Sequence, residues 1–287
     1  MLLPLGDPRH LELFAVASAL ISVGLVPVAL TRSQAPQQIS PRAMGVPTLY
    51  AISPLGVVGC FASGLALGAF WGMGPVFAHG IHLSTSGIAS FMGATILGGM
   101  VLQWPIGRMS DRTDRRLLIM VVNLGIAATS AGLAVVSGGS LWIVLALAVA
   151  FGGLAFSLYS LCVAHTNDLL TPEDMVAASS GLLLVYGVGA AVGPYAASAV
   201  MAAVGYHGLY AFVAAATLVT GAFAFYRARV RPPVPAEERA EFVPLPRTSP
   251  VVLALHPGAE PGPDAAAEDT GAPSGGPGSG PAQPPGP

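Results

Sequence analysis

The sequence predicts an all-α, polytopic helical membrane protein with about seven transmembrane helices. Three observations carry that expectation. Only 9% of the 287 residues are charged and 53% are apolar, where a soluble protein carries roughly 25% charge. Mean hydropathy is +0.69. The few charges are also confined, leaving no Asp, Glu, Arg or Lys in residues 13–31, 43–107, 117–167 and 175–226. A spanning helix takes about 20 residues, so those runs hold about one, two, two and two spans. Polar surface is too scarce to cover a soluble core of this size, which excludes a soluble enzyme. A net charge of −2 with no basic field excludes a nucleic-acid binder. Cys60 and Cys162 both lie in apolar runs and read as small buried hydrophobes, not as a disulfide or a metal pair.

Taken in order, the expected spans are 11–30, 50–77, 86–106, 117–136, 141–164, 175–204 and 209–226. A short segment 1–10 precedes the first, and a linker 31–49 follows it. Ser84-Thr85-Ser86-Gly87 starts the third span, and Ser137-Gly138-Gly139-Ser140 separates the fourth from the fifth with Ser140 as an N-cap. Thr171-Pro172-Glu173-Asp174 places Thr at the N-cap, Pro at the first helical position and acids in the first turn. Gly205-Tyr206-His207-Gly208 is a tight turn before the last span. Residues 50–226 form one six-helix unit, and 227–287 form a disordered Pro/Gly-rich tail that lacks the apolar content to fold.

Orientation follows from arginine, the sole basic residue besides histidine. Arg32 and Arg42, Arg108 to Arg116, and Arg227 to Arg231 fall on one side of a seven-span arrangement, with Arg9 on the other. The positive-inside rule predicts a multi-pass protein of the cell (inner) membrane with a cytoplasmic C-terminus.

The segment Gly107-Arg108-Met109-Ser110-Asp111-Arg112-Thr113-Asp114-Arg115-Arg116 carries six charges in ten residues. Arginines alone would fix topology, and Asp114 reads as the cap of the fourth helix. Asp111 is placed to accept hydrogen bonds at a neighbouring helix terminus or to pair with Arg115 or Arg116, giving a latch present in one arrangement of the bundle. The segment resembles the G-x-x-x-D-R-x-G-R-R signature of the major facilitator superfamily, found in the cytoplasmic loop between the second and third helix of each six-helix half. Gly107, Asp111, Arg112, Arg115 and Arg116 match it, and Asp114 stands where glycine is usual. The resemblance implies that these residues stabilise one access state of an alternating-access transporter.

On the sixth span, Gly189 and Gly193 share a face and Pro194 removes a backbone donor, a pattern for close packing or for a hinge. This G-x-x-x-G-P string is similar to a motif the superfamily carries in the fifth helix of its first half, here in the pseudo-symmetric position. Gly64, Gly68 and Gly72 form a second smooth stripe on the second span. In that family the first and fourth helices of each half line the cavity, which implies Trp71 and Tyr159 as substrate-cavity candidates, with Tyr186 on the sixth span.

Other polar groups are sparse. Asn123 and Gln103 are the main amides within the spans, His165, Asn167 and Asp168 are expected to be solvated or to cap the fifth span, and His79 and His82 to be wetted in an outer loop. H-E-x-x-H, G-x-S-x-G and phosphate-loop motifs are absent, so the chain reads as not an enzyme, with no catalytic residue, cofactor or metal, and with transport driven by a gradient.

Registering the motif onto the family makes the seven spans helices 6–12 of a twelve-helix fold: the last helix of an N-terminal half and a whole C-terminal half. The expected partners are a small-molecule solute with or without a coupling ion, the lipid bilayer and the missing N-terminal half. Three origins are open: a truncated reading of a longer gene, a degenerate copy, or a subunit completed by another polypeptide. The expected function is gradient-driven transport of a small solute as part of a longer transporter. Its alternative is a membrane scaffold without transport activity.

Overall fold

The computed structural model describes residues 12–30, 44–136 and 140–230. Eight helices run through them: α1 (Glu12–Leu30), α2 (Val46–Ile52), α3 (Pro54–Gly80), α4 (Thr85–Arg112), α5 (Arg115–Val135), α6 (Leu141–Asn167), α7 (Pro172–Val204) and α8 (Gly208–Val230). Among the described residues, α3 to α8 are long and apolar enough to cross a membrane by length and composition. They correspond to the expected second to seventh spans. The expected first span forms α1, a 19-residue helix outside that set of six, and its described side chains are exposed. The expected N-terminal segment, residues 31–43 of the linker, residues 137–139 and the tail from 231 lie outside the described residues.

Cap chemistry sets the boundaries. Ser84 Oγ accepts from Gly87 N at 3.2 Å to start α4, and Asp114 Oδ1 accepts from Arg116 N at 3.0 Å to start α5. Thr171 occupies the N-cap position of α7 without a side-chain cap bond, with Pro172 in the first turn, and its hydroxyl meets Asp174 Oδ2 at 3.3 Å. Ser140 precedes α6 without a side-chain cap bond. Gly205 ends α7 at φ +84°, a left-handed conformation that glycine adopts without strain.

Several boundaries depart from expectation. The expected linker 31–49 runs into a short helix, α2, which stops at Ile52; Ser53 then caps α3 through Gly56 N at 3.3 Å, with Pro54 in the first turn. Ser53 Oγ also accepts from Thr166 Oγ1 at 3.0 Å, tying the start of α3 to the end of α6. Thr166→Val keeps the shape and removes that bond, so a cost of about 1 kcal/mol is expected. Thermal unfolding in detergent should show a melting temperature about 2–4 °C lower; an unchanged value would mean the bond does not hold the helices together. At the other ends, α8 continues past Tyr226 to Val230 and α4 continues past Ile106 to Arg112.

The packing has an exchange symmetry. α3 packs on α7, α4 on α6, α5 on α8 and α3 on α6. Swapping α3-α4-α5 for α6-α7-α8 maps this set onto itself, the arrangement of two three-helix repeats. Starts of α3, α5 and α7 and ends of α4, α6 and α8 share one end of the bundle, called here the motif end. The opposite end is filled by rings: Phe77 meets Tyr210 edge-on at 4.7 Å, Phe151 meets Tyr210 at 5.5 Å, and Phe70 meets Phe151 at 5.9 Å, all fully buried. Outward faces are apolar, with Met100, Val101, Trp104, Trp142 and Tyr195 exposed, as a lipid-facing surface requires.

Candidate functional site

The charged segment is helical through most of its length, which corrects the expectation of a loop. Residues 107–112 complete the last turns of α4; Thr113 caps it, its hydroxyl donating to Met109 O at 2.7 Å, and Asp114 opens α5. Only Thr113-Asp114 turns the chain. Charges did not stop the helix because they lie at its end and are paired there, while apolar helix continues below them.

Arg115 is the centre of the site and is 2% exposed. Its Nε donates to Ser110 Oγ at 3.0 Å and its Nη2 meets Asp111 Oδ1 at 3.1 Å, both on α4. Its Nη1 reaches α6, meeting Asp168 Oδ1 at 2.5 Å and Ala164 O at 3.1 Å. One guanidinium therefore joins three helices. Arg116 is satisfied locally, with Nη2 and Nε on Asp114 at 2.7 and 3.1 Å. Asp111 is partly exposed and Arg112 and Arg108 are exposed, Arg108 lying over the Trp104 ring at 4.8 Å.

Helix dipoles give this arrangement its meaning. Arg115 sits at the positive N-terminus of α5 and Asp168 caps the negative C-terminus of α6. Each charge is at the end that disfavours it, so each depends on the other. Asp168 takes the capping alternative of the expectation, at the C-cap of α6, but its side chain is 3% exposed, and His165 and Asn167 are 8% and 5% exposed. His165 and Asn167 are buried in the packed end of the bundle, not solvated, and the Asp168 carboxylate turns in toward Arg115 beside them. The sequence signal for Asp168 was its position as the first charge after the run 117–167, which begins directly after Arg115 and Arg116. Nothing in spacing showed that the two ends of that run meet.

Gly189 and Gly193 lie directly on α3. A Cβ at Gly189 would run into Phe61 O and lie 3.2 Å from Gly64 Cα, and one at Gly193 would run into Leu65 O. The two glycine stripes read separately from sequence are thus the two sides of one contact. Pro194 lacks the N–H that would bond Ala190 O within the helix, and that carbonyl lies against Gly68, while the Pro194 ring covers Gly72. α7 runs unbroken through Pro194. A matching seam joins α4 and α6, where Gly98 lies on Val149 O and Gly152 on Thr95 O.

Of the cavity candidates, Tyr159 and Tyr186 come together, ring centroids 5.1 Å apart, with Tyr159 buried and Tyr186 partly exposed. Trp71 stands apart from them, 47% exposed, edge-on to Phe70 at 5.2 Å and to Phe156 at 6.2 Å. Asn123 is buried and donates to Ile119 O of its own helix at 2.8 Å, Gln103 is partly buried, and His79 and His82 are exposed.

A sequence profile described as Major Facilitator Superfamily matches residues 56–259. The chain is 32% identical over 183 residues to the Uncharacterized MFS-type transporter YcaD of Escherichia fergusonii, covering 62% of this chain and 46% of that protein. It is 34% identical over 144 residues to the Uncharacterized MFS-type transporter Ent638_1421 of Enterobacter sp., covering 49% and 35%. Against the Uncharacterized MFS-type transporter YcaD of Salmonella paratyphi B it is 29% identical over 192 residues, covering 64% and 47%. The chain spans about half the length of the curated relatives it matches.

Proposed function

Because the chain belongs to the Major Facilitator Superfamily, we propose that it serves gradient-driven, alternating-access transport of a small solute across a cell (inner) membrane. In this reading α3 to α8 are the C-terminal half of the transporter. The site lies between halves, so α1 and an N-terminal half close the other side of the cavity. The motif end faces the cytoplasm in this reading, in keeping with its arginines.

The observation that carries the proposal is the Arg115 cluster. A buried guanidinium gathers Asp111, Ser110, Ala164 O and Asp168 from α4 and α6 onto the start of α5. Such a cluster is satisfied only while those three helix ends stay together, which is what a latch on one access state requires. Asp111, Arg112, Arg115 and Arg116 with Gly107 form that latch; Gly189, Gly193 and Pro194 hold α7 to α3. Trp71 and Tyr186 offer side chains to the substrate cavity, and Tyr159 backs Tyr186.

Reconstitution of the complete gene product in proteoliposomes, with an imposed ion gradient and a panel of small solutes, tests this. Accumulation of at least one solute above protein-free vesicles is expected, and Asp111→Asn should change its flux on the order of tenfold. Unchanged flux in the variant would remove the latch but leave transport standing. No flux for any solute would favour a non-transporting membrane scaffold.

A further inference from the structure

At the motif end the arginines divide into two groups. Arg115 and Arg116 are buried and paired with carboxylates. Arg108, Arg112 and Arg229 are exposed, and none of them makes a hydrogen bond or an ion pair to another described residue. Arg108 and Arg229 instead repeat one device on two helices. Arg108 lies over the ring of Trp104, four residues back on α4, at 4.8 Å, and Arg229 lies over the ring of Phe225, four residues back on α8, at 4.6 Å. Both rings are exposed, as are Met100 and Val101 a turn deeper on α4 and Leu218 and Val219 two turns deeper on α8. Toward the motif end, each outward face therefore runs from aliphatic to aromatic to cationic. Arg112 adds a further exposed charge one turn beyond Arg108.

We propose that these two faces bind anionic phospholipid, each taking a headgroup phosphate on its arginine and an acyl chain along the aliphatic residues below. The positive-inside rule asks only for charge on this side; stacking on exposed rings in matching positions fixes where that charge meets the bilayer. Stacking occupies the flat face of a guanidinium and leaves its N–H edge for an acceptor. That edge fits two oxygens of a phosphodiester through charge-assisted hydrogen bonds. On α4 the Trp104 indole N–H, which bonds no other described residue, is a further donor at headgroup level. A free phosphate would use the arginine but gain nothing from the ring and the aliphatic stripe, so a lipid is the occupant. A zwitterionic headgroup brings its own cation to a surface where Arg108, Arg112 and Arg229 are already unpaired, whereas an anionic one offsets them. The inference needs only the membrane-spanning bundle and stands independently of the transport reading.

The test mixes the complete gene product, in a neutral detergent, with equal amounts of dioleoylphosphatidylglycerol and dioleoylphosphatidylcholine. Native mass spectrometry then separates the two adducts by mass. Phosphatidylglycerol adducts should exceed phosphatidylcholine adducts. Arg108→Gln and Arg229→Gln should each weaken phosphatidylglycerol retention at one site, roughly fivefold per arginine, and the double variant should bring the two lipids close to level. Thermal melts of the variants should match the parent, because both side chains are exposed and unpaired. Added inorganic phosphate should leave the adducts in place. Equal retention of the two lipids by the parent, unchanged retention in either single variant, or displacement by phosphate would each overturn the proposal.

Discussion

Arg115→Ala is expected to destabilise the chain by about 3–5 kcal/mol, the cost of breaking a buried ion pair by removing one partner. The reason is Asp168, which is 3% exposed and held by Arg115 at 2.5 Å. Without the guanidinium a carboxylate stays buried at the C-terminus of α6, where the helix dipole also opposes it. Asp111 suffers less, because it is 37% exposed and can hydrate. Asp168→Asn in the Arg115→Ala background should therefore recover more than half of the loss, whereas Asp111→Asn in that background should recover little. Arg115→Lys should fall between, since one ammonium cannot meet Ser110, Asp111, Ala164 O and Asp168 in the geometry of a planar fork. Thermal unfolding in detergent reads all four variants, with a drop of roughly 10 °C for Arg115→Ala. A drop within the scatter of repeat melts would show that Asp168 finds other partners.

The second large effect comes from the α3–α7 seam. Gly68→Val is expected to prevent this seam from forming. Its Cβ would run into Ala190 O and lie 2.7 Å from Ala190 Cα, and these are backbone atoms that cannot swing aside as a side chain would. Overpacking with side-chain neighbours costs about 1–3 kcal/mol, and a rigid backbone neighbour raises that. Gly187→Ala on α7 is the control, because a Cβ there meets nothing within 4 Å. It should be neutral or stabilising by up to about 1 kcal/mol. Size-exclusion profiles after heating separate the cases: loss of the monodisperse peak for Gly68→Val and retention for Gly187→Ala. Equal behaviour of the two would mean the helices do not touch at backbone level.

These two sites show what the sequence could and could not reveal. Spans were legible because charge-free runs record the bilayer directly. Helix ends were less so: charge was taken to end α4 at Ile106, but Asp111 and Arg115 neutralise each other and the helix runs to Arg112. Ser53-Pro54 carried a cap and a first-turn proline in plain view, yet an unbroken apolar run on both sides hid the restart. Local spacing offered Asp111 either Arg115 or Arg116 as a partner, and the structure selects Arg115, four residues on. Asp168, 53 residues away from Arg115, has no local signature and needed the packing of α6 against α5. Glycine stripes told which faces were smooth, because period is a property of one helix. What lies across from a smooth face is a property of two, and sequence spacing alone does not contain it.

The glycine seams also decide how the bundle can move. Backbone meets backbone at Gly64, Gly68, Gly189 and Gly193 between α3 and α7, and at Gly98 and Gly152 between α4 and α6, so at those points neither seam can slide without a backbone clash. Each pair behaves as a stiff beam. Deformation is then left to the joint where the beams meet, the α3–α6 contact, made at the motif end by the hydroxyl bond between Ser53 and Thr166 and deeper in the bundle by the Phe70 and Phe151 rings. A six-helix unit built this way has few internal degrees of freedom, and those few are concentrated where single-atom changes reach them.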